Sequence, residues 1–309
     1  MAQVFRSVQK AFRALEQAEG VGALVRRSIG VRRQRNFSPF LLLDHFTVSH
    51  PSGFPDHPHH GQETITYIQQ GMIAHEDFTG SKGILRPGDL QFMTAGKGIV
   101  HSEIPVLTKD AKAAVGLQLW VDLPKNMKDC PPRYRNLRAS EIPIAQPNEH
   151  LKVKVISGKS YGVESVKELA YTPVDFYHYI SDKEGINFVQ EIPENYNAFL
   201  YVMEGSVVVD GQEYPQYSTI FYNANGNAIK GVTGEKNTEF AIIAGLILDQ
   251  DIVQHGPFVE TSPEKMKEVF RNYQWGINGF EKAINWESSI INGITEKDIT
   301  NFESQPKEK

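Results

Sequence analysis

At 309 residues the chain is long enough for two domains, each burying its own core. With 40% hydrophobic and 22% charged residues and a formal net charge of -5, it reads as a soluble globular protein; the acidic balance argues against a chain built to grip phosphate backbones. The single cysteine, Cys130, excludes an internal disulfide and points to an intracellular setting, and the longest apolar run, Phe240 to Leu248, is far shorter than the about 20 residues of a membrane helix.

Arg6, Lys10 and Arg13 precede the first acid, Glu16, in a faint likeness to a transit peptide, but no apolar signal core follows, so the segment is expected to start the fold. Arg26, Arg27, Arg32, Arg33 and Arg35 form a dense basic stretch, expected to be a solvated face or ion-pair partners. Strand-like runs then recur between Gly and Pro breaks, as in Glu63 to Ile68, Gly88 to Met93 and Val115 to Val121, which indicates an all-β sandwich or barrel. Pro131, Pro132, Pro143 and Pro147 mark a linker and place a boundary near residues 130 to 150, giving an N-terminal domain of residues 1–135 and a C-terminal domain of 136–291.

Beyond the boundary, Tyr201-Val202-Met203-Glu204-Gly205 echoes Tyr67-Ile68-Gln69-Gln70-Gly71, so the second half reads as a duplicate of the first. Ser262, Pro263 and Glu264 carry the cap, first-turn proline and early acid of a helix, continued by Met266, Val269, Phe270 and Tyr273 at helical spacing. After the Asn278-Gly279 break, Phe280 to Trp286 reads as a further short helix, and residues 292–309 as a loose polar tail.

Two same-face pairs carry the chemistry. His57 and His59, and His101 and Glu103, are each spaced i, i+2, so on strands each pair points to one face. Two such strands facing each other across a barrel would aim three imidazoles and one carboxylate at one point, a set suited to Fe(II), with Mn, Ni, Cu or Zn also admissible. Pro58 cannot donate to a sheet ladder, which places the first pair on an edge strand or at a barrel mouth. His60 should face away as a supporting residue, Glu63 is the rival carboxylate, and His75 and Asp77 share a face and are expected to bond locally. His45, His50, His150, His178 and His255 have no partner at ligand spacing. In the duplicate, Glu191 and Pro193 fall where His57 and His59 stand, and Ile229 and Gly231 oppose His101 and Glu103, so the ligand set is absent there.

Gly53-Phe54-Pro55-Asp56-His57-Pro58-His59, and Pro87 to Gly96 running into Gly98-Ile99-Val100-His101-Ser102-Glu103, resemble the two metal-binding motifs of the pirin family of the cupin superfamily. The similarity continues through Gly20 to Ala23, Arg26 to Gly30, Gly116 to Val121 and Gly256 to Val259, across roughly residues 15 to 290. The resemblance implies two cupin (double-stranded β-helix, jelly-roll) barrels with short C-terminal helices, iron in the first held by His57, His59, His101 and Glu103, and a metal-free second. It departs at His60 and Gln62, where pirins usually carry Arg and Phe.

Two functions follow from the resemblance. The first is a quercetin 2,3-dioxygenase that opens a flavonol ring with O2, Glu103 acting as general base and Phe54, Phe92 and Met93 as apolar neighbours that read more readily as core. The alternative is an iron-dependent, redox-sensing transcriptional co-regulator acting through a transcription-factor partner, and the resemblance thereby implies a cytoplasmic or nuclear setting. A monomer without direct nucleic-acid or membrane contact is expected in both.

Overall fold

Near-continuous burial along Phe40–Val48, Ala114–Asp122 and Thr238–Leu246 marks strands covered on both faces, whereas Leu151–Ser157 alternates and is covered on one. The computed structural model describes residues 3–20, 22–166 and 169–304, and there such strands dominate, as the all-β reading requires. Among the described residues no helix is long and apolar enough to cross a membrane.

The chain divides into two units. The first comprises Glu16–Gly30, Phe40–Ala139 and Asp249–Lys309, and the second Met1–Leu15, Val31–Pro39 and Ser140–Leu248. The expected sequential division at residues 1–135 and 136–291 therefore fails at both ends. Val8–Arg13 pairs antiparallel with Ser218–Tyr222, which commits the N-terminal strand to the second unit. Phe258, Met266 and Val269 pack with Phe78, Met93, Ala95 and Ile99, which returns the C-terminal segment to the first. Backbone pairing and apolar burial outweigh neighbourhood along the chain. The break between Ala139 and Ser140 does fall within the proline-punctuated stretch, but strands Arg133–Leu137 and Ile144–Asn148 occupy most of that stretch, so it is no open linker.

In the first unit an antiparallel sheet runs Arg133–Leu137, Leu90–Thr94, Gln62–Gln70, Ala114–Asp122, Phe40–Val48, Ala23–Ile29, Glu16–Glu19. Its companion sheet runs Ile294–Thr295, Ile99–Leu107, Ile73–Asp77, Lys82–Leu85, with Phe54–His59 also paired to Ile99–Leu107. The second unit repeats the plan: Val8–Arg13, Ser218–Tyr222, Tyr196–Glu204, Thr238–Leu246, Val174–Ser181, Leu151–Ser157, Ile144–Asn148, with a sheet of Asn187–Glu191, Ala228–Thr233, Ser206–Val209 and Gln212–Pro215. The duplicated motif sits on the third strand of each large sheet and ends at Gly71 and Gly205, whose φ values of 70° and 69° belong to the region that favours glycine.

The side chains that face the interior of the second barrel are at other positions than the sequence alignment gave. Asn187–Glu191 pairs with Ala228–Thr233 in the register Phe188 to Gly231 and Gln190 to Ile229, which buries Phe188 and Gln190 and leaves Glu191 and Pro193 exposed. A slip of one residue exchanges the faces of a strand. Tyr179, Phe188 and Phe240 fill the interior instead, with ring centroids 4.6 to 5.7 Å apart.

The C-terminal helix forms over Pro263–Trp275, and Ser262 Oγ accepts from Lys265 N at 3.3 Å. The helix expected over Phe280 to Trp286 is a run of turns: seven residues give few intrahelical bonds against the cost of nucleation, and Phe280 is drawn into the core. The expected tail is ordered up to Ser304. Ile294–Thr295 pairs with Val106 and Leu107, and the helix Ile299–Ser304 buries Phe302 against Ile104, Val106, Ile290 and Ile294. Residues 305–309, the end of that expected tail, lie outside the described residues, as does Val21 of the Gly20 to Ala23 motif.

Candidate metal centre

His57 and His101 are brought together by pairing of adjacent strands and do not face each other across the barrel. Phe54–His59 runs antiparallel to Ile99–Leu107 with His57 directly opposite His101, and the register shifts before Glu103. Directly opposed side chains lie on one face within contact range, and the two Nε2 atoms are 3.0 Å apart. The three rings of His57, His59 and His101 have centroids 4.4 to 5.0 Å apart, and each offers a nitrogen within 4.8 Å of the other two. Phe54–His59 pairs with no other strand among the described residues, the edge position that Pro55 and Pro58 favour. Gly96, at φ 52° in the turn before Ile99, sits where a Cβ would collide with the Cys130 carbonyl.

Burial keeps all three imidazoles neutral. It lowers the pKa of His57 against an opposing bond to the Pro55 carbonyl, and holds His59 and His101 well below the usual histidine range, helped by the neighbouring rings. His57 Nδ1 lies 2.8 Å from Pro55 O, which can only accept, so the proton sits on Nδ1 and the Nε2 lone pair faces the cluster. His59 Nε2 is buried without a hydrogen-bond partner. Converging neutral nitrogens, one an orphan, fit a divalent transition metal.

Glu103 stands at the edge of this cluster. Its Oε2 is 4.0 Å from His101 Nε2, but it does not come within 4.8 Å reach of all three histidines. Gln118 Nε2 donates to Oε2 at 3.3 Å; the one hydrogen of Thr66 Oγ1 goes to Gln118 Oε1 at 2.6 Å and leaves Glu103 Oε1 a weaker contact with the same hydroxyl at 3.3 Å. Burial raises the Glu103 carboxyl to about 7 against those donors. Trp120 meets the His59 ring edge to face at 5.1 Å. Thr66, Gln118 and Trp120 were not among the sequence candidates; their signal is polar or aromatic residues at alternate positions of two central strands.

The remaining candidates sort by strand phase. Glu63 points to the opposite face from Thr66, is bonded by Thr94 Oγ1 at 2.6 Å, and joins no cluster. His60 turns away, with Nδ1 3.0 Å from Lys97 O and Nε2 2.9 Å from Glu260 Oε1. His60, Asp129 and Glu260 also come within metal-ligating reach of one another; burial opposes ionisation of Glu260, but the His60 hydrogen bond, with smaller help from the Thr261 N–H and the Lys128 ammonium, lowers its pKa, so that carboxylate is already served by protein partners. His75 stacks on Tyr134, and Asp77 accepts from Thr79 and Ser81 in its own turn. His45, His50, His150, His178 and His255 belong to neither cluster. Met93 and Phe92 are core residues, and Phe54 packs edge-on against Phe46.

Two barrels of one plan, one with converging histidines and one filled by aromatic rings, define a bicupin. Residues 22–121 match the Pirin family and residues 177–279 the Pirin C-terminal cupin domain. A pirin-like protein of Solanum lycopersicum is 40% identical over 294 residues, covering 93% of this chain and 99% of that protein. Pirin of Homo sapiens is 40% identical over 283 residues, covering 90% and 95%. A quercetin 2,3-dioxygenase from Acinetobacter baumannii superposes with a TM-score of 0.81 at 27% identity, covering 88% of this chain and 98% of that one. The chain belongs to the pirin family.

Proposed function

We propose that this pirin is a metal-dependent dioxygenase of the quercetin 2,3-dioxygenase type, with His57, His59 and His101 as metal ligands and Glu103 as a fourth ligand or base. The observation that carries the reading is the convergence of three neutral imidazoles beside a carboxyl raised to about 7. The likeness to the Acinetobacter baumannii enzyme supports the substrate class. Iron is the first choice for this donor set. A bound metal of this kind supplies Lewis-acid polarisation of a chelating hydroxyl and carbonyl, and redox access to dioxygen.

The chain's own residues supply the rest. The Pro55 carbonyl fixes the His57 ring with its lone pair inward. Glu103, with a pKa near neutrality, is matched to accept the proton of a flavonol 3-hydroxyl at physiological pH, and Gln118, itself bonded by Thr66, donates to one of its oxygens while it does so. Trp120 orients His59 and walls one side of the cluster.

The co-regulator reading came from the resemblance; the basic stretch would be its partner surface, and that stretch is divided between the two units. Arg26 pairs with Glu16 and Arg27 with Asp44 and Glu19, as solvated ion-pair partners would, while Arg32, Arg33 and Arg35 belong to the other unit. The enzymatic reading therefore leads. Anaerobic loading with Fe(II), followed by quercetin and oxygen, should bleach the flavonol absorbance and release carbon monoxide; a rate no higher than that of free iron, at verified metal content, refutes it.

A further inference from the structure

His57 and His101 set each other's protons, His57 Nε2 accepting from His101 Nε2 at 3.0 Å, whereas the proton of His59 is placed by a side chain outside the three histidines. Gln62, fully buried, puts its amide Nε2 2.9 Å from the Pro257 carbonyl oxygen and 2.8 Å from His59 Nδ1. A carbonyl oxygen only accepts, so the atom facing Pro257 carries the hydrogens, and the same nitrogen donates its second hydrogen to His59 Nδ1. His59 Nδ1 is then an acceptor and the ring proton sits on Nε2, the atom that points into the cluster and has no partner there. A metal needs that Nε2 lone pair. Ligation through Nε2 therefore requires the proton to move to Nδ1 and the amide to stop donating to it.

We propose that Gln62 is a positioning residue that holds His59 in the tautomer unsuited to ligation, and thereby sets how strongly the histidine cluster takes up a divalent transition metal. The proposal rests on the metal reading of the cluster. His57 gives the contrast within the same site: the Pro55 carbonyl accepts from its Nδ1 and leaves its Nε2 ready. An oxygen acceptor in place of the amide nitrogen reverses the preference, because a ligating histidine is strengthened when its other ring nitrogen donates.

The test compares wild type, Gln62→Glu, Gln62→Met and His101→Ala as full chains, with Zn(II) as the probe. Imidazole 15N shifts of the metal-free proteins should show His59 protonated on Nε2 in wild type, on Nδ1 in Gln62→Glu, and in a mixture in Gln62→Met. Competition with a chromogenic chelator should show Gln62→Glu binding zinc roughly tenfold more tightly than wild type, the low end of the range for outer partners of metal ligands, with Gln62→Met between them. Should Gln62→Glu fail to fold, a Gln62→Met affinity and His59 tautomer equal to wild type overturn the proposal. Wild type that binds tightly, loses zinc in His101→Ala, and matches Gln62→Glu in affinity overturns the proposal while leaving the metal reading intact. Equal zinc uptake by wild type and His101→Ala overturns both.

Discussion

Replacing Glu103 by Gln removes an ionisation that the fold opposes, and the size of the effect follows from burial. The carboxyl is 3% exposed, and its pKa rises from 4.5 to about 7. At about 1.36 kcal/mol per pKa unit, ionising it in the folded, metal-free protein costs about 3 kcal/mol. The shift is upward, so the folded state keeps a proton that the unfolded chain has released. Its stabilising contribution is fully present below pH 4.5 and is lost as the pH climbs through 7. Wild type should therefore lose about 3 kcal/mol relative to Glu103→Gln between pH 4.5 and 8. Trp120, Trp275 and Trp286, the three tryptophans of the chain, all lie in the first unit, so urea unfolding in chelator followed by tryptophan fluorescence reports that unit. The slope with pH decides the matter, since Gln also alters the bonds to Thr66 and Gln118. Stability curves that run parallel across this range would mean that the carboxyl is not held in a desolvated setting, and the argument for a base near neutrality would go with it.

Three further outcomes are expected. In the presence of metal the sign inverts: Glu103 is protonated below about 7, so if it is a ligand, zinc affinity should fall as the pH drops from 8 to 6 in wild type and stay flatter in Glu103→Gln, measured by chelator competition. Lys128 is fully buried, bonded to Asp122 Oδ1 at 2.6 Å and to the Gly61 carbonyl at 3.0 Å, so Lys128→Ala should cost about 3–5 kcal/mol. The double change Lys128→Met with Asp122→Leu should recover much of that loss, and a double variant no better than the single would refute the uncompensated-charge account. Phe302→Ala, in a core with Ile104, Val106, Ile290 and Ile294, should cost about 3 kcal/mol; a change under about 0.5 kcal/mol in urea unfolding would show that the helix Ile299–Ser304 does not pack.

Strand phase explains what was legible. The spacing of His57 to His59 and of His101 to Glu103 settles which side chains share a face, because alternation is a property of one strand alone, and the same rule turns Glu63 and His60 away. The Ser262 cap and Pro263 are equally local, and the helix begins where they stand. By contrast, the sequence-wise alignment of the second barrel missed its register, since loop lengths shift phase and only the pairing of Phe188 with Gly231 reveals it. The exchange of chain ends between units and the packing of Phe302 were illegible for a related reason: their partners lie far away in sequence.

By itself the sequence determined the strand content, the duplication and which histidines share a face, since these depend on backbone geometry and side-chain order over a few residues. Only the tertiary structure decided that His57 lies beside His101, that Glu103 stands 4.0 Å from His101 with Gln118 bonded to it, and that the Gln62 amide lies against His59 Nδ1. Those outcomes depend on register, burial and hydrogen-bond partners such as Pro257, which the folded chain alone brings together.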